Sequence, residues 1–260
     1  MKIIKWLFEK FGAISVFLIL WEMLSRLAIL DKLFIPPFSD VALAAWRIFR
    51  TGNLLAHIGI SLERAVSGFA IAVIAGIPLG LIFGGWFKKA EIALGPLLEF
   101  FSQINPFIFF HIVVFILGIE EPTKIIIIFW ACVWPIIFST ISGIKHIQPE
   151  ILKAGRSFGL GRTGLFFKIV LPSAAPSIFV GLRLSAGYSL FMLIAAEMMG
   201  CSSGLGWLIL NFQEGYQISS IFAAAIIIAF LGLIFDFIIR AAEKKIIKFE
   251  GDEGFTGSAD

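Results

Sequence analysis

An all-α, polytopic membrane protein with about six spans is the fold class that this sequence predicts, and three observations predict it. Of 260 residues, 59% are hydrophobic and 15% charged, against about 45–50% and about 25% in an ordinary soluble domain. One water-soluble core of this length cannot hide so many apolar side chains, so the surplus faces lipid. The apolar residues fall in six runs, at about 11–29, 62–84, 98–118, 124–143, 173–199 and 219–240, each near the roughly 20 residues that cross a bilayer as a helix. Finally, with the N-terminus inside, fourteen of the 21 Lys and Arg residues lie on the inner side of these runs and five on the outer. That bias orients membrane proteins, and it predicts both termini in the cytoplasm. A soluble enzyme, a disordered chain and a disulfide scaffold are excluded. The net charge of +3 gives no reason to expect nucleic acid.

The elements follow in order. The N-terminus, MKIIKWLFEKFGAISVFLILW, has the basic start and apolar run of a signal peptide. No small-x-small cleavage site follows it, and Glu22 and Arg26 extend it, so it reads as a retained first span. Pro36 and Pro37 break the chain, and VALAAWRIFR then forms an amphipathic helix at a membrane interface, with Arg47 and Arg50 on its polar side. In the second run Gly68, Ala72, Gly76, Gly80 and Gly84 recur at every fourth position. Such a row drifts about 40° per step and forms a slanted ridge for close helix approach; a pore-lining role is the less favoured alternative. Pro78 predicts a kink in that helix.

The third run carries Ser102, Gln103, Asn105 and His111, with Pro106 interrupting the helix. Polar groups at membrane depth and a proline that frees a backbone carbonyl fit a cavity. Ser102, Gln103 and Asn105 are therefore candidates for a permeation path, with hydrogen bonding between helices the equal alternative; His111 reads as a packed, hydrogen-bonded residue. The fifth run repeats the small-residue device with Ser173, Ser177, Gly181, Ser185 and Ser189. It also holds Arg183 and Glu197, about 21 Å apart on one helix and so unable to pair there. Arg183 is a candidate for attracting an anionic solute in the inner half, and Glu197 for an outer gate; salt bridges to neighbouring spans are the alternative. Glu22 with Arg26 and Asp236 with Arg240 are i, i+4 pairs and read as structural. After the fifth run, CSSGLGWLILNFQEGYQISS suggests a re-entrant or surface helix, its outer end shaped by Gly204, Gly206 and Trp207. Cys132 is expected inside a span and Cys201 in a loop, without a disulfide.

Catalytic signatures are missing. No G-x-x-x-x-G-K-[ST], H-E-x-x-H, C-x-x-C or G-x-S-x-G motif occurs, and the three histidines are scattered. No catalytic set and no metal site is expected, which leaves a pathway or a scaffold. The longest inner connection, from about Gly143 to Leu171, reads GIKHIQPEILKAGRSFGLGRTGLFFKIVL. Ile151, Ala154, Gly155 and Phe158 share one face of a short helix, and Glu150, Lys153, Arg156 and Ser157 flank or oppose it. Gly159 and Gly161 break that helix, and a second apolar stretch with Leu165, Phe166, Ile169 and Val170 follows. Two short amphipathic helices about a glycine hinge suit docking into a partner's groove, with lying on lipid headgroups the even alternative.

From Gly159 through Ile169, Leu171 and Pro172, this connection matches the E-A-A-x3-G-x9-I-x-L-P loop of binding-protein-dependent ABC permeases. The segments HIGISLERAVSGFAIAVIAGIPLGLIFG, GIEEPTKIII, PSIFVGLRLSAGYSLFMLIAAEMMG and SSGLGWLI resemble the nitrate, sulfonate and taurine class of those permeases, over roughly residues 35–249. Lys153 stands where the motif has Glu and Gly155 where it has the second Ala; Glu150, three residues earlier, is the acidic substitute.

The resemblance implies the type I importer permease fold and the membrane-spanning subunit of an ATP-driven importer for a small anionic solute. It implies a coupling surface of Glu150, Lys153, Ala154, Gly155, Arg156, Ser157, Gly159, Arg162, Leu171 and Pro172. It implies as partners two copies of a separate ATPase subunit, which would carry the ATP and magnesium, a second permease copy, and an extracytoplasmic substrate-binding protein. The expected location is the bacterial inner membrane, with one permease domain over residues 1–250 and a polar, disordered tail at 251–260. The rival class is an ATP-independent channel or secondary transporter. It needs no coupling loop and more often shows paired intramembrane charges or an internal repeat, and no convincing repeat is present.

Overall fold

A computed structural model describes residues 2–27, 31, 34–51, 53–86 and 88–247; the side chains of 2–11, 51, 86 and 88–91 lie outside the description. The expected C-terminal tail and part of the expected first span, residues 28 and 29, also lie outside it. The described elements are helical: α1 (Lys2–Arg26), α2 (Phe38–Thr51), α3 (Leu54–Leu81), α4 (Lys88–Ser102), α5 (Pro106–Leu117), α6 (Glu121–Lys145), α7 (Pro149–Ser157), α8 (Arg162–Leu165), α9 (Leu171–Met198), α10 (Leu205–Glu214) and α11 (Ile218–Ile246). Two π-helical turns, Ile82–Trp86 and Phe166–Val170, interrupt the long helices. Among the described residues four helices are long and apolar enough to cross a membrane, or five if the bent pair α4–α5 is one span.

The third apolar run is the main departure from expectation. It is not one helix but two, bent by 85° between Ser102 and Pro106. Pro106 occupies the first turn of α5, where its missing N–H costs nothing, and the Asn105 side chain accepts a hydrogen bond from the Phe107 N–H at 2.9 Å. The helix break expected at Pro106 is present, and a fresh N-cap makes the proline the start of a new helix as well. Pro78, Pro96, Pro135 and Pro176, by contrast, sit inside their helices.

The chain divides into two compact units, one of residues 1–63 and 194–231, the other of residues 64–193 and 232–260. In the second, the ridge of small residues on α3 meets α6. A methyl group added at Gly68 would lie 2.6 Å from Ile128, at Gly76 2.9 Å from Ile136, at Gly80 2.5 Å from Thr140 and at Gly84 2.9 Å from Ile144. Ala72 in the same row is fully buried. Each partner is sixty positions further along, so α3 and α6 run parallel. Two parallel spans enter from the same face of the membrane, and the segment between them must therefore cross once. The bent pair α4–α5 makes that crossing.

The next seam is antiparallel. Gly143 abuts Ser177, and Gly181 abuts Ser139 and the Pro135 carbonyl. The Ser185 hydroxyl donates to the Cys132 carbonyl at 2.7 Å and the Cys132 thiol to the Ser185 carbonyl at 3.2 Å. The serine-and-glycine row of α9 is thus a packing ridge, and the Ser185 and Ser189 hydroxyls are satisfied inside the protein. On its other side α9 meets α11 through Phe179, Ala186 and Ile239, joined by Phe69 and Phe235.

In the first unit, α2 buries Val41, Ala44 and Ile48 against Leu54, Leu205, Leu208 and Ala223. Its opposite side exposes Leu43, Trp46 and Phe49, and Arg50 lies over the Trp46 ring at 4.8 Å. The expected amphipathic helix is present, with aromatic and basic groups together on its open face, the composition of a membrane interface. The turn before it is tied to α1: the Trp21 indole donates to the Pro36 carbonyl at 3.0 Å and the Ser25 hydroxyl to the Ile35 carbonyl at 2.7 Å.

Candidate functional site

The connection from Gly143 to Leu171 carries a short, well-stopped helix. Pro149 and Glu150 open α7 and Arg156 closes it, so both charges complement the helix dipole. At its end the Leu160 N–H bonds to the Gly155 carbonyl at 3.2 Å and the Gly159 N–H to the Arg156 carbonyl at 2.9 Å, with Gly159 at φ +78°. This is a Schellman stop, which needs a left-handed residue where Gly159 stands. Gly155 was expected on the same open face as Ile151 and Phe158. It is instead buried, and a Cβ there would strike the Ile169 side chain. The missing side chain lets α7 lie directly on the following π-helical turn. Ile151 and Phe158 are left 44% and 86% exposed, with Glu150, Lys153, Ala154, Ser157 and Arg162 also exposed around them. Leu171 is half-buried and Pro172 exposed at the start of α9.

A second place is a cavity of about 320 Å³ at the break between α4 and α5. Ser102 and Asn105 line it, as does Phe107, together with Trp134 of α6 and Tyr188 and Phe191 of α9. Trp134 is near the middle of α6, and its buried indole N–H has no hydrogen-bond partner. Gln103 is exposed and not among the lining residues. Ser102 donates to the Glu99 carbonyl at 2.7 Å. The sequence singled out the two polar residues of the break but missed Trp134 and Tyr188. An aromatic inside an apolar run carries no local signal of what it faces. His111 bonds through Nδ1 to the Phe107 carbonyl of its own helix at 2.8 Å, as expected, but it is exposed in the chain and not packed.

A third arrangement surrounds Glu197, which is fully buried. Its carboxylate accepts from the Ser61 hydroxyl at 2.8 Å and from the Gly206 N–H at 2.8 Å. Ser61 in turn accepts from the Leu205 N–H at 2.9 Å, and His57 Nδ1 accepts from the Gly204 N–H at 3.1 Å while its ring stacks on Trp207. The first N–H groups of a helix lack partners within it, and a carboxylate there also meets the positive end of the dipole. Glu197, Ser61 and His57 therefore hold the start of α10. Gly204, at φ +114°, and Gly206 leave no room for side chains beside the carboxylate.

The scarce intramembrane charges are paired. Arg183 bonds to Glu243 and lies 3.8 Å from Asp236, both on α11, and Asp236 also takes Arg240 at 2.6 Å. Arg64 and Lys124, buried near the starts of α3 and α6, share the Glu121 carboxylate at 2.6 and 2.8 Å. Of the two charged path candidates, Arg183 has the salt-bridge partners that the alternative reading foresaw, on α11, and Glu197 is held by hydrogen bonds from Ser61 and the Gly206 N–H. Glu243 and Ser61 are 60 and 136 positions away from them in sequence, beyond the reach of any local pattern. Among the described residues no cluster of His, Cys, Asp or Glu could hold a metal ion.

Comparison with known proteins completes the picture. Residues 76–248 match the profile of the family described as "Binding-protein-dependent transport system inner membrane component". The putative aliphatic sulfonates transport permease of Bacillus subtilis is 28% identical over 90% of this chain and 85% of its own length. The taurine transport system permease of Escherichia coli is 28% identical over 93% and 89%. The nitrate import permease of Synechocystis is 30% identical over 92% and 88%. Among solved structures, an inward-facing form of the MetNI methionine ABC transporter superposes with a TM-score of 0.63, covering 74% of this chain and 95% of that one at 15% identity, a likeness of fold.

Proposed function

Because the chain belongs to the family of binding-protein-dependent transport system inner membrane components, and is the membrane-spanning permease subunit of an ATP-driven importer, we propose how its parts divide that work. Residues 1–250 act as one permease domain and a second copy completes the path. Two separate ATPase subunits, carrying ATP and magnesium, dock on the inner side, and a soluble binding protein delivers solute on the outer. Helix α1 supplies the sixth span, placing both termini in the cytoplasm.

One observation carries the coupling assignment. Helix α7 is clamped through Gly155 to Ile169 of the following turn, while Ile151 and Phe158 stand exposed. An apolar face held rigidly outward transmits force only if something grips it. ATP favours one state of the importer solely through differential contacts, and these are the contacts at hand. Glu150, Lys153, Ala154, Arg156, Ser157, Gly159 and Arg162 frame the surface, and Leu171 and Pro172 join it to α9. Gly159→Asp and Glu150→Arg are each expected to uncouple uptake from ATP hydrolysis. Copurification of the ATPase and solute uptake by membrane vesicles measure this. Wild-type values of both in both variants would remove α7 from the mechanism.

The cavity at the α4–α5 break is our candidate for the solute path, with Ser102 and Asn105 as lining groups, Gln103 at its margin, and Trp134 and Tyr188 added. Its lining is aromatic with hydrogen-bond donors and without carboxylates, suited to a small oxyanion of the kind the relatives' names describe. Arg183 braces α9, which lines the cavity, against α11. Trp134→Phe keeps an aromatic ring and removes a buried N–H that has no partner. It is expected to lower the uptake rate several-fold, with permease abundance in the membrane unchanged. An unaltered rate would place the path elsewhere. Affinity measurements on the proposed binding-protein partner would identify the solute itself.

A further inference from the structure

Behind α7 lies a cleft of about 630 Å³, lined in part by Arg156 and Arg162 of the proposed coupling surface. Its walls include the inner end of the α3 segment at Gly84 and Gly85, the end of α6 at Lys145, Arg156 of α7, and Arg162 and Phe166 of the segment leading into α9. Three cations line it and no acidic residue does. Around α7, at about 100° per residue, Arg156 lies about 140–160° from Ile151 and Phe158. The open apolar face and the cationic cleft are therefore on nearly opposite sides of one short helix.

We infer that this cleft is a binding site for the phosphate headgroup of an anionic phospholipid from the inner leaflet. Three cations lining a concave, partly apolar space focus positive potential and attract a phosphate. The glycine pair leaves one wall bare of side chains, and Phe166 with its apolar neighbours offers surface on which an acyl chain can lie. The cleft is formed by the last residues of two membrane-spanning helices, at headgroup depth. Basic pockets between spans on the cytoplasmic side meet the leaflet that carries anionic lipids. A phosphate held by Lys145, Arg156 and Arg162 ties α7 to the ends of α3 and α6, so lipid occupancy sets how firmly the coupling helix is braced. The lipid as source, though not the anion site itself, rests on the cytoplasmic placement of this connection proposed above.

The test uses the full chain, purified in mild detergent and stripped of lipid. Phosphatidylglycerol, phosphatidylcholine and inorganic phosphate are titrated separately, with bound lipid counted by native mass spectrometry and the unfolding midpoint followed. Phosphatidylglycerol is expected to bind saturably and to raise the midpoint, phosphatidylcholine to do neither. Arg156→Gln with Arg162→Gln is expected to weaken phosphatidylglycerol roughly tenfold or more. Lys244→Gln with Lys245→Gln, which removes two cations outside the cleft, leaves binding unchanged. Lys145→Gln alone serves if the double variant does not fold. Equal binding of the two lipids, an undiminished affinity in the cleft variants, or equal weakening by the α11 pair overturns the site. Inorganic phosphate protecting as well as the lipid overturns the lipid assignment. None of these readouts needs ATP or uptake. Labelling of Lys153→Cys by a membrane-impermeant maleimide in intact cells judges the placement of the connection separately.

Discussion

Replacing Gly204 with alanine is expected to destabilise the permease by several kcal/mol and to abolish uptake. The residue sits at φ +114°, ψ 173°, a backbone region essentially closed to residues with a Cβ, where strain alone costs about 1–3 kcal/mol. The added methyl would also run into the Glu197 carboxylate. Relieving that collision means moving a buried carboxylate away from Ser61 and from the Gly206 N–H, and a buried charge that loses a partner costs about 1–3 kcal/mol or more. Gly215→Ala provides the contrast. Gly215 has φ −83°, and its nearest neighbours would be 3.4 Å from a Cβ, so the change is expected to be nearly neutral. Thermal unfolding in detergent and uptake in vesicles measure both. A Gly204→Ala protein with a wild-type midpoint would show that the anchor of α10 is not as tight as described. Glu197→Gln is expected to be milder, because the amide keeps one oxygen to accept while its NH₂ confronts a donor.

Gly80→Leu is the second large effect. Its Cβ would lie 2.5 Å from the Thr140 Cβ and 3.0 Å from the Ile137 carbonyl. Inserting a branched side chain there pushes two long helices apart, at a cost of about 3 kcal/mol or more, since overpacking is resisted in cores of native density. Loss of folded permease from membranes and a lowered midpoint are the readouts. Gly59→Ala on the same helix, where nothing lies within 4 Å of an added Cβ, costs nothing comparable. A milder pair probes the contact itself. Gly80→Ala and Thr140→Gly each destabilise alone, and the double variant is expected to recover part of the loss, because the methyl moves from one wall of the seam to the other. Strictly additive losses would mean that the two residues do not meet.

Much of this architecture was legible in the chain. Small residues at every fourth position announce a seam whatever lies opposite, because helix period and side-chain size are local properties. What they abut was not legible: nothing in Gly76 names Ile136. The break at Asn105–Pro106 was visible as chemistry but not as geometry. Pro106 was taken as an interruption within a span, whereas a capping side chain one residue earlier converts it into the first turn of a new helix. The glycine-ended loop helix was readable from Pro149, Glu150 and Gly159. Its partition into an inward Gly155 and outward Ile151 and Phe158 depended on Ile169, a residue of the next segment. Arg183 and Glu197 drew attention because charge is scarce in spans. Their partners came from α11 and from Ser61, and only the assembled chain supplies those. Trp134 gave no sign at all, since an indole in KIIIIFWACVW is compositionally indistinguishable from lipid-facing bulk.

The parallel seam between α3 and α6 has a mechanical consequence. Four contacts in one row, each without a side chain on the α3 side, give the pair no slack: sliding by a residue would set ridges against ridges along its whole length. The two helices can tilt only as one stiff rod, from the shared Glu121 carboxylate at one end to Ile144 at the other. The turn Ile82–Trp86 carries Gly84 and belongs to the rod, so motion of the permease must be taken up at the 85° elbow between α4 and α5 and at the π-helical turn Phe166–Val170. The Phe166–Val170 turn shares a cleft with Gly84 and Ile144 at that end of the rod, so on the coupling role proposed for α7 a push there would rotate the rod and not bend it.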